Sequence, residues 1–294
     1  MPMITRGMSA SRIYSSAANT RAINAAKTVS RLSRLDSILT RLGTVSQEQE
    51  LVGAMLERVL NSDPVLAQKL PVAIAIYCTE NKHGIPGSVA DAVRVIGYGE
   101  VRKIVQIVGL SCFVEEIATR VSMNAKHLLS QAVAVGIGAE FLLRKTGQPS
   151  AMAFSAGLFA NVGVPTLALA EREYEAITSS VGGGSVQLHE AEKKALGCTH
   201  MEVGWSVLTD HAFPEIVALG ASAHADTTHA NMTVKAVALS EAFAHQLGYD
   251  GGFAIVPPEF DPNSLATFGC SESETMALAE LVTRWTSLTF KMLA

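Results

Sequence analysis

The spacing of apolar residues is the feature that most restricts the fold of this chain. Val101, Ile104, Val105 and Val108 lie at i, i+3, i+4 and i+7, and apolar residues between 128 and 142 recur at steps of three or four. This is the period of a helix with a buried face. Ala, Gly and Ser are plentiful, and hairpin turn signals are missing. The sequence therefore predicts a single all-α domain of about a dozen helices.

Capping patterns mark several helix starts. The clearest are Asp63-Pro64, Thr199-x-x-Glu202 and Ser271-x-x-Glu274. The first places an acceptor before a proline at the first helical position, and the other two are capping boxes. Pro71 falls two turns after Pro64, and a proline inside a helix removes a hydrogen bond. We expect Pro71 to end or kink that helix.

The chain divides into three segments by composition. Residues 1–45 form a basic Ser/Ala/Arg-rich segment, with six cations and no acid before Asp36. A transit peptide or a membrane-surface helix would have this composition, but we favour a solvated leader or a loosely packed first helix. Residues 46–252 form the main helical domain. Residues 253–294 form a linker and a C-terminal helix that packs on it.

Composition excludes several classes of function. Charged residues make up 17% of the chain and the net charge is −4, which argues against nucleic-acid binding. No apolar run reaches the roughly 18 residues of a membrane span. The four cysteines include no Cys-x-x-Cys, which argues against a zinc knuckle or disulfide scaffold and favours a reducing cytoplasm. The glycine run at 182–184 lacks the Gly-Lys-Ser/Thr ending of a phosphate-binding loop.

Histidines are the first candidates for chemistry. Three of them, His200, His224 and His229, fall within 30 residues and have carboxylates nearby in sequence, among them Glu192. Imidazole and carboxylate ligands suit Zn, Fe or Mn, but the spacing matches no common zinc motif. We therefore favour structural histidines at helix ends over a metal site. His245 stands apart on a helix, and we expect it at a rim or facing solvent.

Five segments in order resemble one known family. They are 63–70 (DPVLAQKL), 85–97 (IPGSVADAVRVIG), 156–163 (AGLFANVG), 192–204 (EKKALGCTHMEVG) and 221–224 (ASAH). Together they resemble the HDOD family, bacterial relatives of the HD metal-dependent phosphohydrolases that have mostly lost the catalytic ligands. The resemblance spans about residues 50–252 and implies the all-helical HD-like fold.

The same resemblance implies where a metal pocket once lay. The early ligand histidine falls near Ser130, and the His-Asp pair is Ala160-Asn161. The second histidine of the late pair is Ala225, and the final aspartate falls at about Glu241. His200 and His224 are retained. The candidate lining of this relic pocket is thus Ser130, Ala160, Asn161, His200, His224 and Glu241, and it implies no catalytic residue, no metal and no cofactor.

The resemblance also implies a function. It favours a non-catalytic bacterial signal-transduction or regulatory module with a degenerate active site, acting in the cytoplasm through a signalling protein partner. A small ligand or nucleotide in the relic pocket is an alternative, and a residual metal-dependent phosphohydrolase is another. The sequence leaves the oligomeric state open, a homodimer included.

Overall fold

The computed structural model describes residues 18–32, 37–41, 44–45, 63–181, 187–252 and 260–294. Its helices, in chain order, are α1 (Ala18–Ser30), α2 (Pro64–Glu80), α3 (Val89–Ile96), α4 (Tyr98–Ala118), α5 (Ala125–Lys145), α6 (Ala151–Leu158), α7 (Gly163–Ala170), α8 (Tyr174–Val181), α9 (Leu188–Leu196), α10 (His200–Asp210), α11 (Glu215–Ala223), α12 (Met232–Gln246), a 3₁₀ helix (Pro262–Phe268) and α13 (Glu272–Leu293). Within these ranges there is no β-strand. The predicted all-α fold is confirmed.

The predicted helix starts are confirmed, but Pro71 does not end its helix. The Asp63 carboxylate accepts the first free N–H groups of α2, and the boxes at Thr199 and Ser271 begin α10 and α13. However, α2 runs through Pro71 to Glu80. Pro71 is on the exposed side, whereas later residues of α2 are buried in the core. Their packing outweighs the single hydrogen bond that the proline removes.

Helices α4 and α5 form the centre of the domain. From Val101 to Val114 every residue of α4 is buried, and so is every residue of α5 from Leu128 to Ala139. A helix that is buried on all sides belongs to the core of a large domain. The most extensive contacts of α5 are with α6 and α12, and α13 packs across α5 and α2.

The first described helix is held firmly to this core. Ala22, Ala25, Ala26 and Val29 of α1 are buried, and α1 contacts α10 and α7. The Arg21 guanidinium also binds the Glu171 carboxylate with two hydrogen bonds of 3.0 and 2.7 Å. This part of the N-terminal segment is therefore not loosely packed. Residues 1–17, the glycine run and residues 253–259 lie outside the described residues.

One stretch among the described residues, Ala151–Ala170, is apolar and long enough by composition to cross a membrane. It comprises α6, a turn and α7, and 78% of its most apolar window is buried inside the protein. Core helices of water-soluble proteins pass the same test, so the stretch gives no argument for a membrane span.

A close backbone contact sets the position of α7 against α10. A Cβ atom built on Gly163 would lie 1.8 Å from the carbonyl oxygen of His200 and 2.8 Å from the backbone nitrogen of Gly204. Only a residue without a side chain permits this approach. It brings the turn that carries Asn161 beside the first residue of α10.

We therefore predict that Gly163→Ala lowers the free energy of unfolding by at least about 2 kcal/mol, because the two backbones must move apart. Urea unfolding monitored by circular dichroism measures it. The matched control is Gly99→Ala, also in the first turn of a helix, where an added Cβ meets nothing within 4 Å. That variant should be neutral or slightly more stable. Equal stability of the two variants would contradict the proposed contact.

Candidate functional site

A cavity of about 50 Å³ lies where α5, α9, α10, α11 and α12 converge. Its polar lining includes Asn161, His200, His224 and Glu241, which come from four separate parts of the chain. A volume of this size holds one or a few water molecules. The cavity is the place where sequence comparison located the relic pocket.

His200 is positioned by the turn between α9 and α10. Gly197, with φ of 74°, ends α9 in the left-handed conformation and reverses the chain. The capping box of Thr199 and Glu202 then begins α10, and His200 is its first residue. The turn returns His200 to Glu192, whose Oε2 accepts from the backbone N–H of His200 at 2.8 Å and faces its Nδ1 at 2.7 Å.

The Glu192 carboxylate is completely buried and fully bonded. Its second oxygen accepts from the Tyr174 hydroxyl at 2.5 Å. Burial alone would raise the pKa of Glu192, but the His200 imidazole and the hydrogen bonds from His200 and Tyr174 outweigh burial and lower it. Glu192 is therefore an anion that orients His200.

The two retained histidines are bonded to each other, with His200 Nε2 and His224 Nε2 3.1 Å apart. His224 Nδ1 lies 2.9 Å from the carbonyl oxygen of Ala221, which can only accept, so this nitrogen carries the hydrogen. Burial, and then repulsion from His200, lower the pKa of His224 to about 4, so its ring is neutral. His224 Nε2 is then an acceptor, and His200 Nε2 must donate to it.

His200 is therefore held at both ring nitrogens, by the anionic Glu192 at Nδ1 and by His224 at Nε2. The arrangement is a pair of imidazoles between a buried carboxylate and a backbone carbonyl. Each charge has an opposite charge or a hydrogen-bond partner, as burial requires.

On the other side of the cavity, Glu241 is held by amide groups. The Asn161 Nδ2 atom lies 3.1 Å from each oxygen of Glu241, and Gln131 Nε2 donates to Oε1 at 2.6 Å. His245 Nε2 lies 3.7 Å from the same oxygen. Burial raises the pKa of Glu241, but His245, His224 and Asn161 together outweigh burial and lower it. Glu241 is therefore a buried anion whose oxygens accept hydrogen bonds from side-chain amides.

The structure brings together four of the six residues that the sequence nominated, namely Asn161, His200, His224 and Glu241. It does not bring Ser130 or Ala160 to the cavity. The Ser130 hydroxyl donates to the carbonyl of Lys126 at 2.8 Å, and the Ala160 side chain is fully buried in the core. Ala225, the position of the missing second histidine, lines the cavity.

Sequence reasoning missed three members of the site. Gln131 lines the cavity in place of its neighbour Ser130, and Tyr174 bonds Glu192 from a helix that the motifs do not include. The expectation for His245 is wrong, because its side chain is only 4% exposed. The i, i+4 spacing of Glu241 and His245 was the available signal, since it puts both on one helix face.

The residues do not fit a metal ion in this arrangement. An ion needs lone pairs, yet Nδ1 of His200 is bonded to Glu192, and the Nε2 atoms of His200 and His224 are bonded to each other. Asn161 turns its amide hydrogens, not its oxygen, toward Glu241. Among the described residues, no group of three or more His, Cys, Asp or Glu side chains has the geometry of a metal site.

Comparison with known proteins agrees with this fold. The model of the HDOD domain family matches residues 32–227. An HDOD domain protein from Geobacter sulfurreducens has a TM-score of 0.67 at 17% identity, over 87% of this chain and 90% of that one. A provisionally named phosphohydrolase from Shewanella amazonensis SB2B gives 0.68 at 18%, over 95% and 98%. A provisionally named signal transduction protein from Marinobacter aquaeolei VT8 gives 0.67 at 19%, over 95% and 66%. No curated protein matches the chain.

We predict that Asn161→Asp lowers the melting temperature by about 5–10 °C, because it sets a second carboxylate against Glu241 in a buried site. One of the two must then take up a proton. In the double variant Asn161→Asp/Glu241→Gln the amide is at position 241 and the carboxylate at position 161, so the hydrogen bond can form in the opposite direction. This variant should recover at least half of the loss in melting temperature. Thermal unfolding of both variants and of Glu241→Gln alone measures the coupling. Additive effects would show that the two side chains do not interact.

A second prediction concerns pH. The pKa of His224 falls from 6.5 to about 4 on folding, so the unfolded chain binds the proton more tightly. Above pH 6.5 the ring is neutral in both the folded and the unfolded chain, and the free energy of unfolding is at its full value. As pH falls toward 4, this free energy decreases by about 3 kcal/mol. His189, whose pKa is lowered by burial and by His200, acts in the same window. Denaturant unfolding between pH 7.5 and 4.5 should show a smaller loss for His224→Gln, and an unchanged slope would refute the assignment.

Proposed function

This chain belongs to the HDOD domain family, and from that premise we propose that it is a non-catalytic regulatory module of a signal-transduction system that acts by binding another protein. The observation that carries the proposal is the contact of Asn161 with both oxygens of Glu241. In that contact an amide side chain compensates the buried carboxylate, which is the role a metal ion would have in a catalytic relative.

The state of the histidines supports the same conclusion. Metal-dependent hydrolysis needs an ion that holds and activates a water molecule. The Nε2 atoms of His200 and His224 are bonded to each other, and Glu192 is bonded to Nδ1 of His200. Neither His200 nor His224 is therefore left with a free Nε2 atom that could act as a base.

The size of the cavity favours a protein partner over a nucleotide. Small-molecule sites usually enclose about 300–1,000 Å³. The relic cavity has about 50 Å³ and is occupied at its edges by bonded side chains. Regulation through an outer surface of the helical domain is therefore the better-supported reading. The structural neighbour from Marinobacter is itself named for signal transduction.

The proposal also covers the cellular compartment and the kind of organism in which the protein acts. The described cysteines are free thiols, three of them buried, which suits a reducing compartment. We place the protein in the bacterial cytoplasm, in line with the family resemblance.

We expect the purified protein to show no hydrolysis of bis(p-nitrophenyl) phosphate with added Mn²⁺, and to retain less than about a tenth of an equivalent of Zn, Fe or Mn after dialysis. Ala160→His/Asn161→Asp should be equally inactive, because Ser130 and Ala225 still lack ligand groups. An HD-type phosphohydrolase in the same assay is the positive control. As bait in native cells, the chain should capture a signalling protein that binds it again when both are purified.

Two results would overturn the proposal. One is metal-dependent turnover that is lost in His200→Gln, which would make the cavity an active site. The other is a phenotype of the deleted gene that wild type complements but Asn161→Asp/Glu241→Gln does not, although the variant is folded. A purely regulatory surface tolerates that exchange.

A further inference from the structure

A second cavity, of about 200 Å³, lies between α2, α4, α5 and α13 and shares no residue with the relic pocket. Its floor is a buried lysine. Lys103 Nζ lies 2.7 Å from Glu100 Oε1, 3.1 Å from Glu140 Oε2 and 5.2 Å from the centre of the Trp285 ring. Its side chain is 7% exposed. The cavity is therefore a built polar site beneath the C-terminal helix.

The acceptors of this cavity are fully used. Glu100 binds Lys103 through one oxygen and accepts from the Tyr77 hydroxyl at 2.9 Å through the other. Glu140 binds Lys103 through one oxygen and Arg144 through the other, at 3.0 Å. Burial, and then Glu100, raise the pKa of Tyr77, so that hydroxyl stays protonated as a donor. Each oxygen of both carboxylates therefore already has a cationic or hydroxyl partner.

Donors, by contrast, remain available at the mouth. A guanidinium has five N–H donors, and Arg144 and Arg284 each have one contact, with Glu140 and with Asn81. Both arginine side chains are exposed. Counting Lys103, Arg144 and Arg284 against Glu100 and Glu140 leaves one net positive charge. The free N–H donors and the net positive charge therefore favour an anionic ligand.

Apolar side chains form part of the walls of this cavity. They are Ile137 and Phe141 of α5 and Leu281 and Leu288 of α13. The volume equals about seven water molecules, which suits a ligand of roughly eight non-hydrogen atoms. An inorganic anion would leave these walls uncovered, and a neutral apolar molecule would leave the arginines without a partner.

We propose that this cavity binds a small organic monocarboxylate with an apolar body, the carboxylate between Arg144 and Arg284 and the body against the apolar walls. Arg144 belongs to α5 and Arg284 to α13, so a ligand held by both links the C-terminal helix to the core. Arginine is suited to this role because its planar donors match a carboxylate. The site is independent of the relic pocket and of the proposed protein partner.

Trp285 lines the cavity and provides the readout. The chain has two tryptophans, so Trp205→Phe leaves Trp285 as the sole source of tryptophan fluorescence. In that full-length background we expect sodium hexanoate to change the fluorescence saturably, with a Kd of about 1 mM or lower. At constant ionic strength, hexan-1-ol should bind at least tenfold more weakly and sodium acetate should have no effect.

Substitution of the arginines tests the anion contact. Arg144→Gln and Arg284→Gln should each weaken hexanoate binding about tenfold or more, with melting temperatures near that of the parent because both side chains are exposed. Arg94→Gln, an exposed arginine of α3 outside the cavity, should bind as the parent does. The proposal fails if hexanoate gives no saturable change up to 50-fold above the expected Kd of about 1 mM. It also fails if hexanol binds equally well, or if both arginine variants bind like Arg94→Gln.

Discussion

The contact between Asn161 and Glu241 is the interaction on which the centre of this protein depends. Glu241 is a carboxylate buried among five helices, and a buried charge without a partner costs several kcal/mol. Asn161 reaches both of its oxygens, Gln131 reaches one, and His245 lies 3.7 Å from the same oxygen, so protein side chains compensate the charge. Because side chains of the protein neutralise the charge of Glu241, the helices can pack closely around this carboxylate. The cavity between them is therefore small.

His200 and His224 form part of a buried hydrogen-bond network. They face one another through their Nε2 atoms, the anionic Glu192 lies against Nδ1 of His200, and the Ala221 carbonyl lies against Nδ1 of His224. Three titratable groups thus form one network with defined donors and acceptors. Such networks add little net stability compared with apolar packing, but their satisfied geometry allows only one arrangement of the turn that carries them.

The two cavities differ in whether their polar side chains keep free hydrogen-bond donors. In the relic pocket Glu192, His200, His224 and Glu241 are bonded to other protein groups. Beneath α13 the carboxylates are paired in the same way, but the arginines keep free donors beside apolar side chains. The binding site that we propose therefore lies at the C-terminal helix and not in the relic pocket. The same helical frame supports both arrangements because function resides in side chains and not in the fold.

The sequence by itself determined the helical class, the starts of α2, α10 and α13, and the family, because periodicity and capping are local properties of a few neighbouring residues. The family resemblance also nominated Asn161, His200 and His224, which short motifs carry, and it placed the final acidic position at about Glu241. Only the tertiary structure decided that Gln131 and not Ser130 faces the cavity, that His245 is buried, and that Ala160 belongs to the core. These outcomes depend on how helices more than 100 residues apart in sequence rotate and pack against each other. The proton on each histidine nitrogen depends further on which carbonyl or carboxylate lies within 3 Å of it, and that distance is fixed only when the helices meet.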